Sequence, residues 1–198
     1  MVTIFVEGGG DATSLKTEFR HAFSSLLERA GFKNKMPSVK ALGGRGAAFD
    51  AFKTAHSESV AGTFIVLLVD SETIPAGKNA WTHLHSQAGW GKPVGASDDQ
   101  AQLMVVCMET WLMADPDAFA TYFGKDFKKA KLPTTDLENR LKPDVYHAIE
   151  SATAIAKPKG KYGKARDSFK LLSQIDPAKL RKCCAWAARF FDALNKHC

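Results

Sequence analysis

Short apolar runs alternate with amphipathic stretches along the first 125 residues. Four of these runs predict β-strands: "VTIFV" from residue 2, "PSVKAL" from residue 37, "TFIVLLV" from residue 63 and "QLMVVCM" from residue 102. The third run is apolar throughout and rich in β-branched residues, which is typical of a parallel strand covered on both faces. The apolar composition of this run therefore favours a sheet buried between layers of helices.

Helical patterns lie between the predicted strands. "TSLKTEFRHAFSSLLERAGF", from residue 13, carries apolar residues at helical spacing and contains Gly31 as a natural stop. "AAFDAFKTAHSES", from residue 47, predicts a second helix. The alternation of strand and helix predicts an α/β fold with a parallel sheet flanked by helices. In such sheets the functional crevice lies at the carboxyl ends of the strands.

The segment from residue 126 to the end carries mainly helical patterns. "TTDLENRLKPDVYHAIESATAIA" predicts a helix interrupted by Pro143, and a Gly- and Lys-rich loop covers residues 157–166. Two closing helices are predicted over residues 167–175 and 176–197, the second beginning at Asp176 and Pro177. We therefore expect an α/β catalytic domain over residues 1–125 and a helical extension over residues 126–198 that packs on it.

Charge is unevenly distributed along the chain, whose formal net charge is +6. Residues 1–125 contain 11 basic and 13 acidic residues, whereas residues 126–198 contain 16 basic and 8 acidic residues. A basic extension suits a polyanionic partner, although most charged faces are only solvated. No apolar stretch approaches the roughly 20 residues of a membrane span, and no secretory signal is evident. These features predict a cytoplasmic protein with no membrane partner.

Cysteine and histidine spacing gives little support for zinc. The four cysteines include no C-x-x-C pair, so we expect ordinary reduced thiols. In "HLH", His83 and His85 would share one side of a predicted strand, but no third ligand accompanies them. A zinc site is therefore not expected.

Carboxylates follow three of the predicted strands. Glu7 ends the first strand, Asp70 and Glu72 end the third, and Glu109 ends the fourth. A single acid in such a place often caps the following helix. Several acids at one sheet edge would repel one another unless a cation neutralised them, and Mg²⁺ or Mn²⁺ is the hard divalent ion expected there. The glycines at 8–10 would let a phosphate approach these acids closely.

Asp115, Arg45 and a basic loop are further candidates for the site, and each has a functional and a structural explanation. Asp115 precedes Pro116 and is either a metal ligand or the cap of the next helix, and Trp111 is expected in the core. Arg45 in "GGRG" can grip a phosphate or face solvent. The loop "KPKGKYGKAR" is either solvated or a contact for a nucleic-acid backbone, with Tyr162 as its aromatic residue.

Five motifs occur in order through nearly the whole chain: "VEGGGD", "GGRG", "LLVDSE", "ETWLMADPDAF" and "YGKARDSFKLLSQIDP". A strand ending in Glu-Gly, followed by a later strand ending in Asp-x-Asp, resembles the Toprim signature. The whole series resembles a bacterial family catalogued as domain of unknown function 4276. The resemblance implies a Toprim-like Rossmannoid fold related to the nuclease domains of OLD-family proteins and to RloB-like proteins. Some of these serve in phage defence beside an ABC-type or AAA-type ATPase.

The resemblance also implies roles for individual residues. Glu7 matches the Toprim glutamate and Asp70 the first aspartate of the Asp-x-Asp pair. Asp11 matches an acid that serves a second metal in OLD-type nucleases, and Lys164 matches a late lysine of the family. Glu72 departs from the pattern, since Toprim enzymes usually have Asp there. Its longer side chain can still ligate a metal, but topoisomerase or primase activity is not supported.

The sequence therefore predicts a Mg²⁺- or Mn²⁺-dependent nuclease, the effector of an ATPase-coupled phage-defence system. Glu7, Asp70 and Glu72 are predicted to hold one ion, with Asp11 and Glu109 on a second, and Lys164 to stabilise charge on the scissile phosphate. Predicted phosphate and nucleic-acid contacts are Arg45, Lys157, Lys159, Lys161 and Arg166. The expected partners are nucleic acid, DNA more than RNA, and an ATPase encoded nearby. The alternatives are a non-catalytic regulatory partner of an ATPase and a small-nucleotide phosphohydrolase.

Overall fold

The structure, a computed structural model, describes every residue from 1 to 198. Its central sheet contains four strands: β1 (Val2–Val6), β2 (Ser38–Ala41), β3 (Phe64–Asp70) and β4 (Ala101–Met104). All neighbouring pairs are parallel, and the spatial order is β2–β1–β3–β4. The predicted α/β class, a parallel sheet flanked by helices, is confirmed.

The chain contains nine α-helices and, apart from the central sheet, one antiparallel pair of two-residue strands. The helices of the first 125 residues are α1 (Thr13–Leu27), α2 (Arg45–Ser57), α3 (Ala80–Ala88), α4 (Met108–Met113) and α5 (Pro116–Phe123). Later elements are β5 (Gly124–Lys125), α6 (Lys142–Thr153), β6 (Lys157–Pro158), α7 (Lys164–Leu172), α8 (Pro177–Cys183) and α9 (Ala185–His197). No helix of the chain combines the length and the apolarity needed to cross a bilayer.

Strand order places a switch in chain direction between β1 and β3. From β1 the chain moves outward to β2 on one side, then returns to build β3 and β4 on the other side. Connections therefore leave the carboxyl ends of β1 and β3 in opposite directions, and a crevice opens between them. Glu7 follows β1 and Asp70 ends β3, so both acids lie at this crevice.

One hydrophobic core includes both the sheet and the C-terminal segment. Residues 65–69 of β3 are all buried, which confirms that this strand is covered on both faces. Trp111 is fully buried as expected, and its ring lies 5.8 Å from that of Phe190 on α9, which is also 6.1 Å from Phe23 on α1. Because α9 contributes to the same aromatic cluster as α1 and α4, residues 126–198 pack directly against the sheet layer.

Several predicted elements have different boundaries in the structure. The fourth strand ends at Met104, and the chain turns before α4 begins at Met108. Pro143 does not interrupt a helix: it is the second residue of α6, where its missing N–H costs no hydrogen bond. The final predicted helix is broken at Cys184, whose backbone is extended, and so becomes α8 and α9.

Candidate metal centre

Glu7 and Asp70 are joined across the switch between β1 and β3. The backbone N–H of Glu7 donates to the carbonyl of Leu68 at 2.9 Å, which continues the sheet ladder past the end of β1. Oε2 of Glu7 accepts a hydrogen bond from the N–H of Asp70 at 3.0 Å. Oδ1 of Asp70 accepts from the N–H of Met108, at the start of α4, at 2.9 Å. Both acids are thus fixed by backbone donors.

Glu72 completes the group from a tight turn after β3. Its backbone has φ 66°, and its N–H donates to the carbonyl of Val106 at 2.9 Å. This turn directs the longer side chain back toward the strand ends. One carboxylate oxygen from each of Glu7, Asp70 and Glu72 lies within 4.8 Å of the other two. The structure therefore brings together the three acids that the sequence predicted for the first metal ion.

A buried histidine supports this turn. His83 lies on α3 rather than on a strand, and its Nε2 is 2.8 Å from the carbonyl oxygen of Ser71. His85 is exposed on the same helix, so "HLH" does not place two imidazoles side by side. His83 thus contacts the residue between the two acids that follow β3.

Electrostatic strain is evident at two of the three acids. Burial raises the pKa of Asp70 well above the usual carboxylate range, and the charges of Glu7 and Glu109 raise it further. Burial also raises the pKa of Glu7, against the lowering effect of the Asp70 N–H. Burial thus disfavours the charged form of both carboxylates, and a bound cation would favour it.

Lys142 provides the nearest cation, and the sequence did not reveal it. Its Nζ is 2.7 Å from Oε2 of Glu72 and 3.9 Å from Oδ2 of Asp70. Although burial lowers the pKa of Lys142, its hydrogen bond to Glu72 and the charge of Asp70 raise that pKa above the usual value. Lys142 is the first residue of α6, so the C-terminal segment contributes a charged group directly to the acid cluster.

Glycines form a cradle beside the acids. Gly8 and Gly43 exchange two backbone hydrogen bonds of 2.9 Å, which joins the loop after β1 to the loop after β2. Gly43 has φ +79°, and a Cβ there would lie 2.7 Å from the carbonyl oxygen of Gly10. The N–H groups of Gly9 and Gly10 donate to no atom of the chain. Two backbone donors therefore remain free next to Glu7.

A cleft of about 390 Å³ opens in front of this cradle. Its lining includes Glu7, residues 8–10, Asp70 and Lys164. Lys164 is the first residue of α7, and its side chain is half exposed. The lining of the cleft thus combines two acids, a glycine loop with free backbone N–H groups and one lysine.

Glu109 lies in the first turn of α4, not at the end of β4, and it is fully buried. Oε2 accepts from the hydroxyl of Tyr146 at 2.9 Å, and Oε1 accepts from the hydroxyl of Tyr162 at 3.2 Å. Lys164 donates to the Tyr146 hydroxyl at 2.9 Å and is 3.6 Å from Oε1 of Glu109. Both carboxylate oxygens of Glu109 therefore have protein partners, and the network positions Lys164.

Asp11 and Asp115 lie outside the group formed by Glu7, Asp70 and Glu72. Asp11 is exposed and is not part of the carboxylate group, and Ala12 at the start of α1 has no side-chain cap, so Asp11 does not cap this helix either. Asp115 caps α5 by accepting from the N–H groups of residues 117 and 118, and it also pairs with Lys179 at 2.6 Å. The capping explanation of Asp115 is confirmed.

Arg45 is the first residue of α2, and its guanidinium lies over the ring of Trp90 at 4.9 Å. Trp90 in turn stacks on Phe49 with ring centroids 4.3 Å apart. Nε and Nη2 of Arg45 are buried and have no hydrogen-bond partner. Its charge lowers the pKa of Glu7, although burial of Glu7 outweighs this effect. Arg45 is therefore near enough to Glu7 for its charge to act there, and two of its buried N–H donors have no partner in the protein.

The predicted basic loop is more ordered than its sequence indicates. Tyr162 is buried against Glu109, so it is not available for stacking on a base. Lys161 pairs with Glu150 at 2.7 Å, and Arg166 binds Asp167 through Nε at 3.0 Å and Nη2 at 2.8 Å. Lys159 is exposed above the ring of Tyr122 at 4.1 Å, and Lys157 is exposed in β6 with no ion pair. Lys157 and Lys159 are therefore the cations of this loop that have no carboxylate partner.

Comparison with known proteins identifies one family. A family model described as "Domain of unknown function (DUF4276)" matches residues 6–195. Neither the curated proteins nor the solved structures include a match to the chain. The match spans every residue of the carboxylate group and of the Lys164 network.

Proposed function

The chain belongs to the family described as domain of unknown function 4276, and we propose that it is a divalent-metal-dependent hydrolase of nucleic-acid phosphodiester bonds, with DNA as the preferred substrate. The observation that carries this proposal is the group formed by Glu7, Asp70 and Glu72. Their oxygens approach within 4.8 Å at the switch between β1 and β3, beside a glycine cradle with free N–H groups.

The donor set fits Mg²⁺ or Mn²⁺. All three ligands are carboxylates, with no imidazole or thiolate in the group, and hard divalent ions prefer oxygen ligands. The raised pKa values of Glu7 and Asp70 fit the same assignment, because burial disfavours their charged forms and a bound cation would favour them. Glu7, Asp70 and Glu72 would hold the ion, which when bound supplies Lewis-acid activation of a phosphoryl oxygen and a more acidic water.

The protein's own groups suit a phosphate next to that ion. The free N–H groups of Gly9 and Gly10 can donate to its oxygens, as backbone nests do in other anion sites. Lys164 faces the same cleft and would stabilise negative charge that develops during cleavage. Glu109, through Tyr146, keeps the Lys164 ammonium in place. Arg45, whose charge lowers the pKa of Glu7, would add positive charge beside the bound phosphate.

Hydrolysis of a small nucleotide is the second candidate. The cleft of about 390 Å³ is within the range of small-ligand sites. Lys161 and Arg166 are already paired within the chain, which narrows the basic surface left for a long polymer. A nuclease remains the first proposal because Lys157 and Lys159 are exposed and have no carboxylate partner, so they are available to a polyanion.

The wider assignments rest on family resemblance. A Toprim-like relationship to OLD-type and RloB-like nucleases, a role in phage defence and an ATPase partner encoded nearby belong to this proposal, as does action on DNA in the cytoplasm. They share one requirement, which is a functional phosphodiesterase centre at Glu7, Asp70 and Glu72.

A substrate panel tests the proposal and separates the two candidates. Purified protein is incubated with supercoiled plasmid, single-stranded RNA and a mixture of nucleoside triphosphates, each with Mn²⁺ or with EDTA. We expect Mn²⁺-dependent nicking of plasmid at a rate above that of RNA cleavage or nucleotide hydrolysis. Release of phosphate from nucleotides with plasmid left intact would favour the second candidate, and inactivity on all three would contradict both.

A further inference from the structure

Helix α6 presents two side chains to the acid cluster from one face. Lys142 and Tyr146 are one helical turn apart, and residues at this spacing point in the same direction. Lys142 contacts Glu72 and Asp70, while Tyr146 contacts Glu109 and Lys164. A helix of the C-terminal segment therefore completes the charge balance of a site whose acids come from the strand ends.

We propose that the Lys142 ammonium is a built-in cation that replaces a second divalent ion, so that the site holds one Mg²⁺ or Mn²⁺ and holds it loosely. This inference rests on the proposed metal-dependent function. Its basis is the position of Nζ, 2.7 Å from Glu72 and 3.9 Å from Asp70, within the group of oxygens that would otherwise attract metal.

The acids predicted for a second ion either have other partners or lie outside the carboxylate group. Both oxygens of Glu109 accept hydrogen bonds from tyrosine hydroxyls, and Asp11 is exposed outside the carboxylate group. Among the groups in direct contact, the charges balance with a single ion: Glu7, Asp70 and Glu72 carry three negative charges, and one divalent ion with Lys142 supplies three positive charges. Carboxylate groups in low dielectric require this kind of neutralisation.

Lys142 is also fixed in place, which a tethered counter-ion requires. It is the first residue of α6, and Pro143 at the next position restricts the backbone there. The N–H groups of Asp144 and Val145 donate to the carbonyl of Leu141, which closes the first turn. The Lys142 side chain is about one quarter exposed, so water screens its charge only in part.

Calorimetric titration with Mn²⁺ of wild type, Lys142→Met and Lys142→Arg tests the proposal. Wild type should bind one ion per chain. Lys142→Met removes a positive charge that lies a few ångströms from the ion and should bind Mn²⁺ about tenfold more tightly, even if water screens the pair strongly. Lys142→Arg keeps the charge and should bind like wild type. Lys182→Met is the matched control, since Lys182 is exposed and lines a surface groove with Asp99, just before the amino end of β4.

Each result bears on the proposal. Equal Mn²⁺ affinity in wild type and Lys142→Met, or two ions per chain in wild type, would overturn it while leaving the metal site intact. No Mn²⁺ binding by wild type would overturn the metal-dependent function as well, so the two failures are distinguishable. If Lys142→Met does not fold, the number of ions bound by wild type still decides: one supports the proposal and two contradict it.

Discussion

Oε2 of Glu7 accepts a hydrogen bond from the backbone N–H of Asp70 at 3.0 Å, which joins the first residue after β1 to the last residue of β3. This bond spans the switch point of the sheet, where a crevice opens because the chain leaves the two strands in opposite directions. One oxygen of Glu7 is thereby oriented by the backbone, and the side chains of both acids face the same cleft. The central acids of the site are positioned by sheet topology itself.

The buried acid Asp70 should make the metal-free protein less stable as pH rises. Its pKa is raised in the folded state, mainly by burial, so the folded protein binds its proton more tightly than the unfolded chain does. The resulting stabilisation is present below about pH 4 and is lost as pH rises through the folded-state pKa. Asp70→Asn should therefore unfold at a higher temperature than wild type at pH 7.5 in EDTA, with little difference near pH 4.

Asp117 provides a control of opposite sign. Hydrogen bonds from Lys129 and Lys179 lower its pKa to about 2, so its contribution to stability is present at neutral pH and is lost as pH falls. Asp117→Asn should thus be less stable than wild type at pH 7.5 and converge with it at low pH. A stability gain for Asp70→Asn that did not depend on pH would contradict the proposed strain at the acid cluster.

The glycine cradle should tolerate no side chain at Gly43. With φ +79° and Gly10 O only 2.7 Å from an added Cβ, Gly43→Ala should lower the free energy of unfolding by about 1–3 kcal/mol. Gly46→Ala is the matched control, because Gly46 lies in the first turn of α2 with open space around it. This variant should be neutral or gain up to about 1 kcal/mol. Urea denaturation measures both, and equal stability of the two variants would show that the cradle is not closely packed.

Glu109 is expected to position Lys164 rather than to bind metal. Tyr146→Phe removes a hydrogen bond to a buried carboxylate and should lower the free energy of unfolding by about 1.5–3 kcal/mol. Glu109→Gln should still bind Mn²⁺ but should cleave substrate more slowly, because the Lys164 ammonium loses its anchor. Calorimetric titration of Glu109→Gln is decisive here. Loss of Mn²⁺ binding would mean that Glu109 is a ligand, as its place after the fourth predicted strand indicated.

Binding of nucleic acid should depend on Lys157 and Lys159 more than on Lys161 and Arg166. The first two have no carboxylate partner, whereas the others are paired with Glu150 and Asp167. Lys159→Glu should weaken binding of DNA and reduce the slope of log affinity against log salt by about 1. Filter binding at several salt concentrations measures this slope. An equal loss in Lys182→Glu, which carries the same charge change, would indicate only a nonspecific effect of net charge.

The sequence was most informative where local pattern and topology coincide. The β-branched run of β3 predicted a buried parallel strand, and the acids that follow it necessarily lie at the carboxyl edge of the sheet. Glu7 and Asp70 could therefore be placed together without any knowledge of packing. The sequence also predicted Glu72 for this group, but it did not reveal the turn of φ 66° that carries it, a conformation that a non-glycine residue rarely adopts.

The contributions of α6 could not be read from the sequence. Lys142 is 70 residues from Glu72, and only tertiary packing of the C-terminal segment brings the two together. Tyr162 was expected in a loop that is solvated or contacts nucleic acid, but it is buried, and its hydroxyl donates to Glu109. The sequence does show that Lys142 and Tyr146 share one face of a helix. That spacing indicates a role only when the residues packed against the face are known.

Cleavage of supercoiled plasmid by Glu7→Gln and Asp11→Asn at saturating Mn²⁺ tests the central claim most directly. Glu7 is a member of the carboxylate group, whereas Asp11, four residues later, is exposed and outside it. We predict that Glu7→Gln abolishes both cleavage and the rise in melting temperature that Mn²⁺ gives wild type, since an ion that binds only the folded state stabilises it. Asp11→Asn should retain both. Full cleavage and a full Mn²⁺-induced stabilisation in Glu7→Gln would contradict the assignment of the metal centre.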